Sequence, residues 1–177
     1  SLKKWFPYNK GGHFRKRYGN NTYVVNWENN GAAIKEAVVN NQSDPNTTHW
    51  SRRIFNTEYF FKKTVTWSDI GSGSLSATLK SGFISDGVGV GVYNIRSTVQ
   101  LFSILGLLNS KVTDIYFKII CPTLHFNSGA MGLLPIIFPL YNQIMNTLPL
   151  CVQLANKDWD LLETSWDFNT FSILLNF

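Results

Sequence analysis

The feature that most constrains how this 177-residue chain folds is a change of hydrophobic period near residue 96. Upstream of it, apolar residues fall in short β-prone runs at residues 59–61, 65–67, 75–79, 83–85 and 90–95, punctuated by Gly and Ser. Downstream, Leu101, Leu105 and Leu108 recur at helical spacing behind Ser97 and Thr98, either of which can cap a helix. A second helical stretch at residues 112–120 stops before Pro122, and Pro139 and Pro149 are placed to start further helices, the last taking in residues 150–161. Before the strand-rich stretch, residues 22–27 read as a strand. Residues 30–39 read as a helix carried by Ala33, Ile34, Ala37 and Val38, and the polar run at 40–48 as a loop. Strands in the middle and helices at the end predict an α+β fold with a mixed or antiparallel central sheet and C-terminal helices. The length suits one domain, residues 1–177, and nothing marks an internal linker.

With 44% hydrophobic and 15% charged residues the chain is too apolar and too weakly charged to be disordered. Its net charge of +5 is unevenly spread. Residues 1–63 carry eleven Lys/Arg and four Asp/Glu, net +7, whereas residues 64–177 carry five and seven, net −2. A cationic N-terminal third suits a polyanionic partner, although a solvated basic face that only aids solubility has the same composition.

Several classes of function are disfavoured. Cys121 and Cys151 fit no CxxC pattern and sit among apolar residues, as buried thiols of a reducing cytoplasm would; His13, His49 and His125 have no metal-ligand spacing. The most membrane-like stretch, residues 131–152, is broken by Pro135, Pro139 and Pro149 and contains Asn142, Gln143 and Asn146. No apolar segment follows the N-terminal charges, so no signal peptide is expected, and the sequons at Asn20, Asn41 and Asn46 carry little meaning. The glycines of residues 87–91 suggest a nucleotide turn, but 90–95 reads as a strand where a helix N-terminus would be needed, so a bulge or inter-strand turn is expected. No Pro-Pro pair exists to form the catalytic motif of an adenine methylase, nor is there a Walker loop, a nucleophile elbow or a zincin helix. Asp158, Asp160, Glu163 and Asp167, interleaved with Trp159 and Trp166, read as a charged helix face with aromatic anchors.

The segment with positive information is Tyr8-Asn9-Lys10-Gly11-Gly12-His13-Phe14-Arg15-Lys16-Arg17-Tyr18-Gly19-Asn20-Asn21, read as a loop-rich surface element. Lys and Arg neutralise phosphates, Arg can read guanine, and a Gly pair lets backbone amides approach a phosphate. Its words, with Trp5-Phe6-Pro7 before and Val24-Val25-Asn26-Trp27-Glu28-Asn29 after, resemble the region downstream of the catalytic domain in PglX-type adenine-specific DNA methyltransferases of BREX phage-defence systems. Thr64 to Ser68 looks like "ITWS", Gly82 to Ile84 like "GFIF", and Leu107 to Lys111 like "LLNSK". Pro122 to Phe126 looks like "PTLNF" with one change, Leu134 to Ile136 like "LPI", and residues 157–168 like "DWDSFETSWDF". The resemblance covers nearly the whole chain, although residues 44–50 and 87–91 match no such word.

The resemblance implies a target-recognition domain without a catalytic centre of its own. Such a domain would be cytoplasmic, with double-stranded DNA and an upstream catalytic domain as partners and S-adenosylmethionine as the cofactor of the parent enzyme only. The expected DNA contacts are Lys10, Gly11, Gly12, Arg15, Lys16 and Arg17, followed by Lys62, Lys63, Ser68, Ser72 and Ser74, with no catalytic or metal residues. The alternative is a protein-interaction module whose exposed aromatics and apolar helices after Ser97 dock on a catalytic domain or another subunit.

Overall fold

The computed structural model describes residues 3–71, 73–87, 90–121, 125–136 and 141–170. Strand β1 (Trp5–Asn9) is the centre of one three-stranded sheet. It pairs antiparallel with β2 (Tyr23–Asn26), in the register Phe6↔Val25 and Tyr8↔Tyr23, and parallel with β5 (Ile84–Ser85) through Tyr8↔Ile84. Pro7 is tolerated here because β5 pairs only with Tyr8 and Asn9, so one edge beside the missing amide has no ladder to complete. After β2 comes α1 (Glu28–Val39), whose entry turn passes through three left-handed residues, Asn29, Asn30 and Gly31, before regular helix begins. Asn and Gly are the residue types that adopt this conformation most readily.

A second three-stranded sheet has β3 (Thr64–Trp67) between β4 (Ala77–Lys80) and β6 (Gly91–Val92), all antiparallel. Every residue of β3 is buried, so the strand is covered on both faces, and its β-branched threonines suit that position only because their hydroxyls are satisfied. Thr64 donates to the Val92 carbonyl (2.8 Å) and Thr66 to that of Val90 (2.6 Å). The buried Asn9 amide donates to Thr66 Oγ1 (2.9 Å), which ties the two sheets together.

The helical half packs on the second sheet. In α2 (Thr98–Leu108), Ser97 Oγ accepts from the Gln100 amide, and Leu101, Ile104, Leu105 and Leu108 are buried with Val65, Trp67, Leu75 and Ala77 in one core. Ser110 caps α3 (Lys111–Ile120) in the same way, and its Phe117 meets Phe126 edge-on at 5.6 Å. A short α4 (Ser128–Gly132) begins at the Asn127 cap, and α5 (Tyr141–Asp160) crosses α2 where Gly106 leaves room for Leu148. No helix among the described residues is long and apolar enough to cross a membrane. Cys121 and Cys151 are half-buried thiols.

The α+β class holds, with five local differences from the sequence reading. The sheet is divided into two. The opening segment is not all loop, because residues 5–9 become β1 once β2 and β5 are available to pair with them. Residues 59–61 form a 3₁₀ turn and bend in place of a strand. Tyr59, Phe60 and Phe61 pack on Tyr93, Trp27 and Phe6 respectively, three directions that the two faces of a strand cannot supply. The short helix α4 was not foreseen. Pro149 lies inside α5, not at its start, since one missing amide in a 20-residue helix is outweighed by the remaining bonds and packing. The expected helix start at Pro139 lies outside the described residues.

Candidate nucleic-acid interface

Strand β1 delivers the chain into the Gly11–Gly12 turn, and β3 delivers Ser68 to the same place. The Gly12 amide donates to Ser68 Oγ (3.0 Å), and the Ser68 hydroxyl donates back to the Gly12 carbonyl (3.0 Å). Both glycines have positive φ, 77° and 154°, and a Cβ on Gly11 would lie 3.0 Å from Ser68 Oγ while one on Gly12 would lie 2.7 Å from the Asn20 side chain. The turn therefore needs glycine for backbone conformation and for closeness alike. Beside it opens a cleft of about 480 Å³ whose walls include Gly12, His13, Phe14, Ser68, Ser74 and Phe126. Four residues expected to act together, Gly11, Gly12, Ser68 and Ser74, are thus brought to one side; Ser72 lies outside the described residues.

The cations divide into two groups. Arg15, Lys16 and Arg17 are engaged in holding the fold. The Arg15 guanidinium stacks over Trp159 at 4.9 Å, pairs with the Asp158 carboxylate and donates through Nε to the Tyr18 carbonyl. Lys16 Nζ donates to the Asn109 carbonyl (2.9 Å) and lies over the exposed Phe14 ring. Arg17, at φ 76°, pairs its backbone with β4, its amide donating to Ala77 and its carbonyl accepting from Leu79. The expectation that these side chains converge on a ligand surface gives way to an internal role for Arg15 and Lys16, whose acceptors lie within the chain itself, while Arg17 is tied in through its backbone and its buried Nε has no hydrogen-bond partner among the described residues.

Lys10, Lys62 and Lys63 form the second group and are exposed. The described ion pairs use Arg15, Arg53 and His125, so no carboxylate neutralises any of these three lysines among the described residues. Lys10 lies over Tyr23 of β2, while Lys62 and Lys63 directly follow Phe61, whose ring packs on Phe6 of β1 at 5.5 Å. Lys3 and Lys4 lie over Phe6 and Trp5. The β1–β2 edge, with Trp5, Tyr23 and Val24 exposed, is therefore bordered by lysines at both ends.

Two structural residues escaped the sequence reading. Lys80 is 2% exposed and directs Nζ at the Gly19 carbonyl (2.6 Å), the Asn20 carbonyl and Asn21 Oδ1, with the Phe83 ring 4.8 Å away. Burial pushes this ammonium down to about 7. Asn109 bonds both backbone groups of Ala77, donating to its carbonyl (2.9 Å) and accepting from its amide (3.1 Å), and so shares the edge of β4 with the Arg17 backbone. The sequence signals for Asn109 were its place between two helical runs and inside the Leu107 to Lys111 word.

The remaining motifs resolve simply. Gly91 pairs with Thr66 inside β6, consistent with a strand and not a helix N-terminus after the glycines; residues 88 and 89 lie outside the described residues. The carboxylates after residue 157 do not form one helix face, because α5 ends at Asp160. Asp160 accepts from Asn156 and Ser165, Trp159 is buried, and Trp166 stacks on Phe83.

No protein-family model matches this chain. It is 36% identical over 175 residues to the adenine-specific methyltransferase PglX of Lacticaseibacillus casei (strain Zhang), an alignment covering 98% of this chain and 14% of that protein. It is 29% identical over 168 residues to the adenine-specific methyltransferase BrxX of Escherichia coli O9:H4 (strain HS), covering 94% of this chain and 13% of that protein. The class of protein that this chain resembles is that of the adenine-specific methyltransferases, with one part of which it aligns. Within that class it is related to the PglX type along nearly its whole length, while spanning about a seventh of the length of the curated relatives it matches.

Proposed function

We propose that this segment recognises double-stranded DNA on behalf of an adenine-specific methyltransferase of a BREX phage-defence system. A separate catalytic domain would bind S-adenosylmethionine and carry out methyl transfer, and this chain would hold the DNA without performing chemistry. The observation that carries the reading is the set of exposed Lys10, Lys62 and Lys63, which no carboxylate among the described residues neutralises, in a segment whose first 63 residues are net +7. A two-stranded ribbon fits the major groove, and ammonium groups at its ends neutralise the flanking phosphates. The Gly11–Gly12 turn, Ser68 and Ser74 then supply backbone and hydroxyl contacts from the adjoining cleft.

The test is a salt series with duplex DNA. Counterion release makes log K fall linearly with log salt, and each lysine removed from a phosphate lowers the slope by about 0.9. Lys10→Ala, Lys62→Ala and Lys63→Ala should each show that reduction; a slope unchanged in all three ends this assignment.

One observation favours a second role in the same domain. Val112, Ile115 and Ile119 form an exposed apolar stripe on α3, 61–74% accessible, at the i, i+3, i+7 spacing of a docking face. This supports contact with a catalytic domain or partner subunit through the helical half, on elements different from those that carry the lysines.

A further inference from the structure

A pocket of about 310 Å³ lies where the first sheet meets β6 and the segment at residues 53–60, away from the glycine–serine cleft. Its volume is at the lower end of the range of ligand sites, roughly 300–1,000 Å³. Aromatic rings dominate the walls: Tyr8, Trp27, Phe55, Tyr59 and Tyr93 all border it. Tyr59 and Tyr93 are stacked on each other at 4.9 Å, and the Tyr93 hydroxyl is fixed by Ser85 Oγ (2.7 Å), so this wall is preorganised. Phe55, in contrast, is 51% exposed.

The polar groups in the same pocket are few and specific. Asp86 is held by its amide, which donates to the Asn9 carbonyl (3.0 Å), and its carboxylate accepts from the Tyr8 hydroxyl. Burial, then the Asp86 charge and this hydrogen bond, push Tyr8 up to about 12, so the phenol remains a donor at neutral pH. Asn56 adopts a left-handed conformation (φ 57°), and its amide makes no capping bond. Arg53 also borders the pocket, with its guanidinium largely exposed and paired with Asp44.

We propose that this aromatic pocket captures a single unpaired nucleobase, with Asp86 and Asn56 meeting its polar edge and Arg53 meeting the adjoining phosphate. A flat ring stacks on aromatic walls whatever its sequence context. A carboxylate accepts from an exocyclic amine, and an amide offers one donor and one acceptor, the pattern that pairs with adenine. A methylated ammonium also suits aromatic cages, but Asn56, whose side chain makes no capping bond, offers a donor as well as an acceptor, and an ammonium cannot use the donor. The base can come from a free nucleotide or from a nucleic acid strand; the second source rests on the DNA reading given above, the first does not.

The experiment uses 2-aminopurine, whose emission falls on stacking, as its free nucleoside monophosphate and within a single-stranded oligonucleotide. Fluorescein-labelled duplex DNA is titrated in parallel by anisotropy. Quenching of either probe is expected, and which one responds identifies the source. Phe55→Ala removes little core, so its fold is expected to survive, and it should weaken capture by about 5- to 150-fold, the range stacking contributes per base. Asp86→Asn should weaken it as well, and both variants should leave the salt slope on duplex DNA unchanged. Quenching of neither probe, or quenching indifferent to both variants, overturns the pocket assignment. If duplex binding persists in that case, the DNA reading stands without it; if duplex binding is absent while the free nucleotide is captured, the pocket stands and the DNA reading falls.

Discussion

Replacing Arg15 with Ala separates a staple from a DNA ligand. The side chain contributes three interactions, of unequal size. Stacking over Trp159 takes place against a ring only 5% exposed, a partly desolvated setting in which a cation–π contact is worth about 1–2 kcal/mol. The partner carboxylate Asp158 is 71% exposed, so the ion pair adds about 0–1 kcal/mol. The bond from Nε to Tyr18 is long, 3.4 Å, and adds about 0.5 kcal/mol at most. Allowing for shared geometry, Arg15→Ala should cost about 2 kcal/mol, equivalent to a Tm lower by about 4–8 °C for a chain of this size. Urea denaturation followed by tryptophan emission reads this directly. Arg15→Lys should recover only part of the loss, because an ammonium lacks the planar stacking surface, and Asp158→Ala should cost no more than about 1 kcal/mol. DNA affinity, measured where all variants are folded, should hardly change. An Arg15→Ala protein with wild-type stability and collapsed DNA affinity would refute the assignment of Arg15 to the fold.

Gly19→Ala should be among the most damaging small substitutions: φ is 128°, and an added Cβ would lie 2.5 Å from Arg15 Nε and 2.9 Å from Trp159. A loss of about 2–4 kcal/mol is expected in the same denaturation assay. Asn109→Ala leaves the Ala77 amide without its acceptor, while the Ala77 carbonyl keeps the Arg17 amide, and should cost about 1–3 kcal/mol, which thermal unfolding would register as a Tm drop. Stability should also depend on pH through Lys80, whose folded value of about 7 lies below an unfolded value of about 10.4. Between these the unfolded chain binds the extra proton, so stability climbs with pH by up to about 1.4 kcal/mol per unit. Tyr8 has the opposite sign, its folded value of about 12 lying above the unfolded 10, so its contribution fades above pH 10. The urea midpoint should therefore peak near pH 10, and a profile flat from pH 7 to 10 would contradict the burial argument for Lys80.

The sequence by itself determined the elements whose information is local. Ser97 marks a helix start because a hydroxyl caps amides two or three residues away, and the Leu101, Leu105 and Leu108 spacing needs only one helix to place its face. The run at residues 65–67 announced β3, and Gly11–Gly12 announced a turn, whose close neighbours in the fold are Ser68 and Asn20. Relationship to PglX-type proteins was also legible, because ordered words along the chain survive without any knowledge of shape.

What only the tertiary structure decided concerns partners distant in sequence. Strand β1 exists because β2 and β5 pair with it, and residues 59–61 bend because three other elements claim their rings. The same holds for charge. Arg15 and Lys10 bring the same charge to one basic run, yet Arg15 meets Asp158 and Trp159 some 143 residues away while Lys10 meets no carboxylate among the described residues. A side chain's charge is a property of its residue type, but whether that charge is available to a partner depends on which groups the fold brings within reach of it.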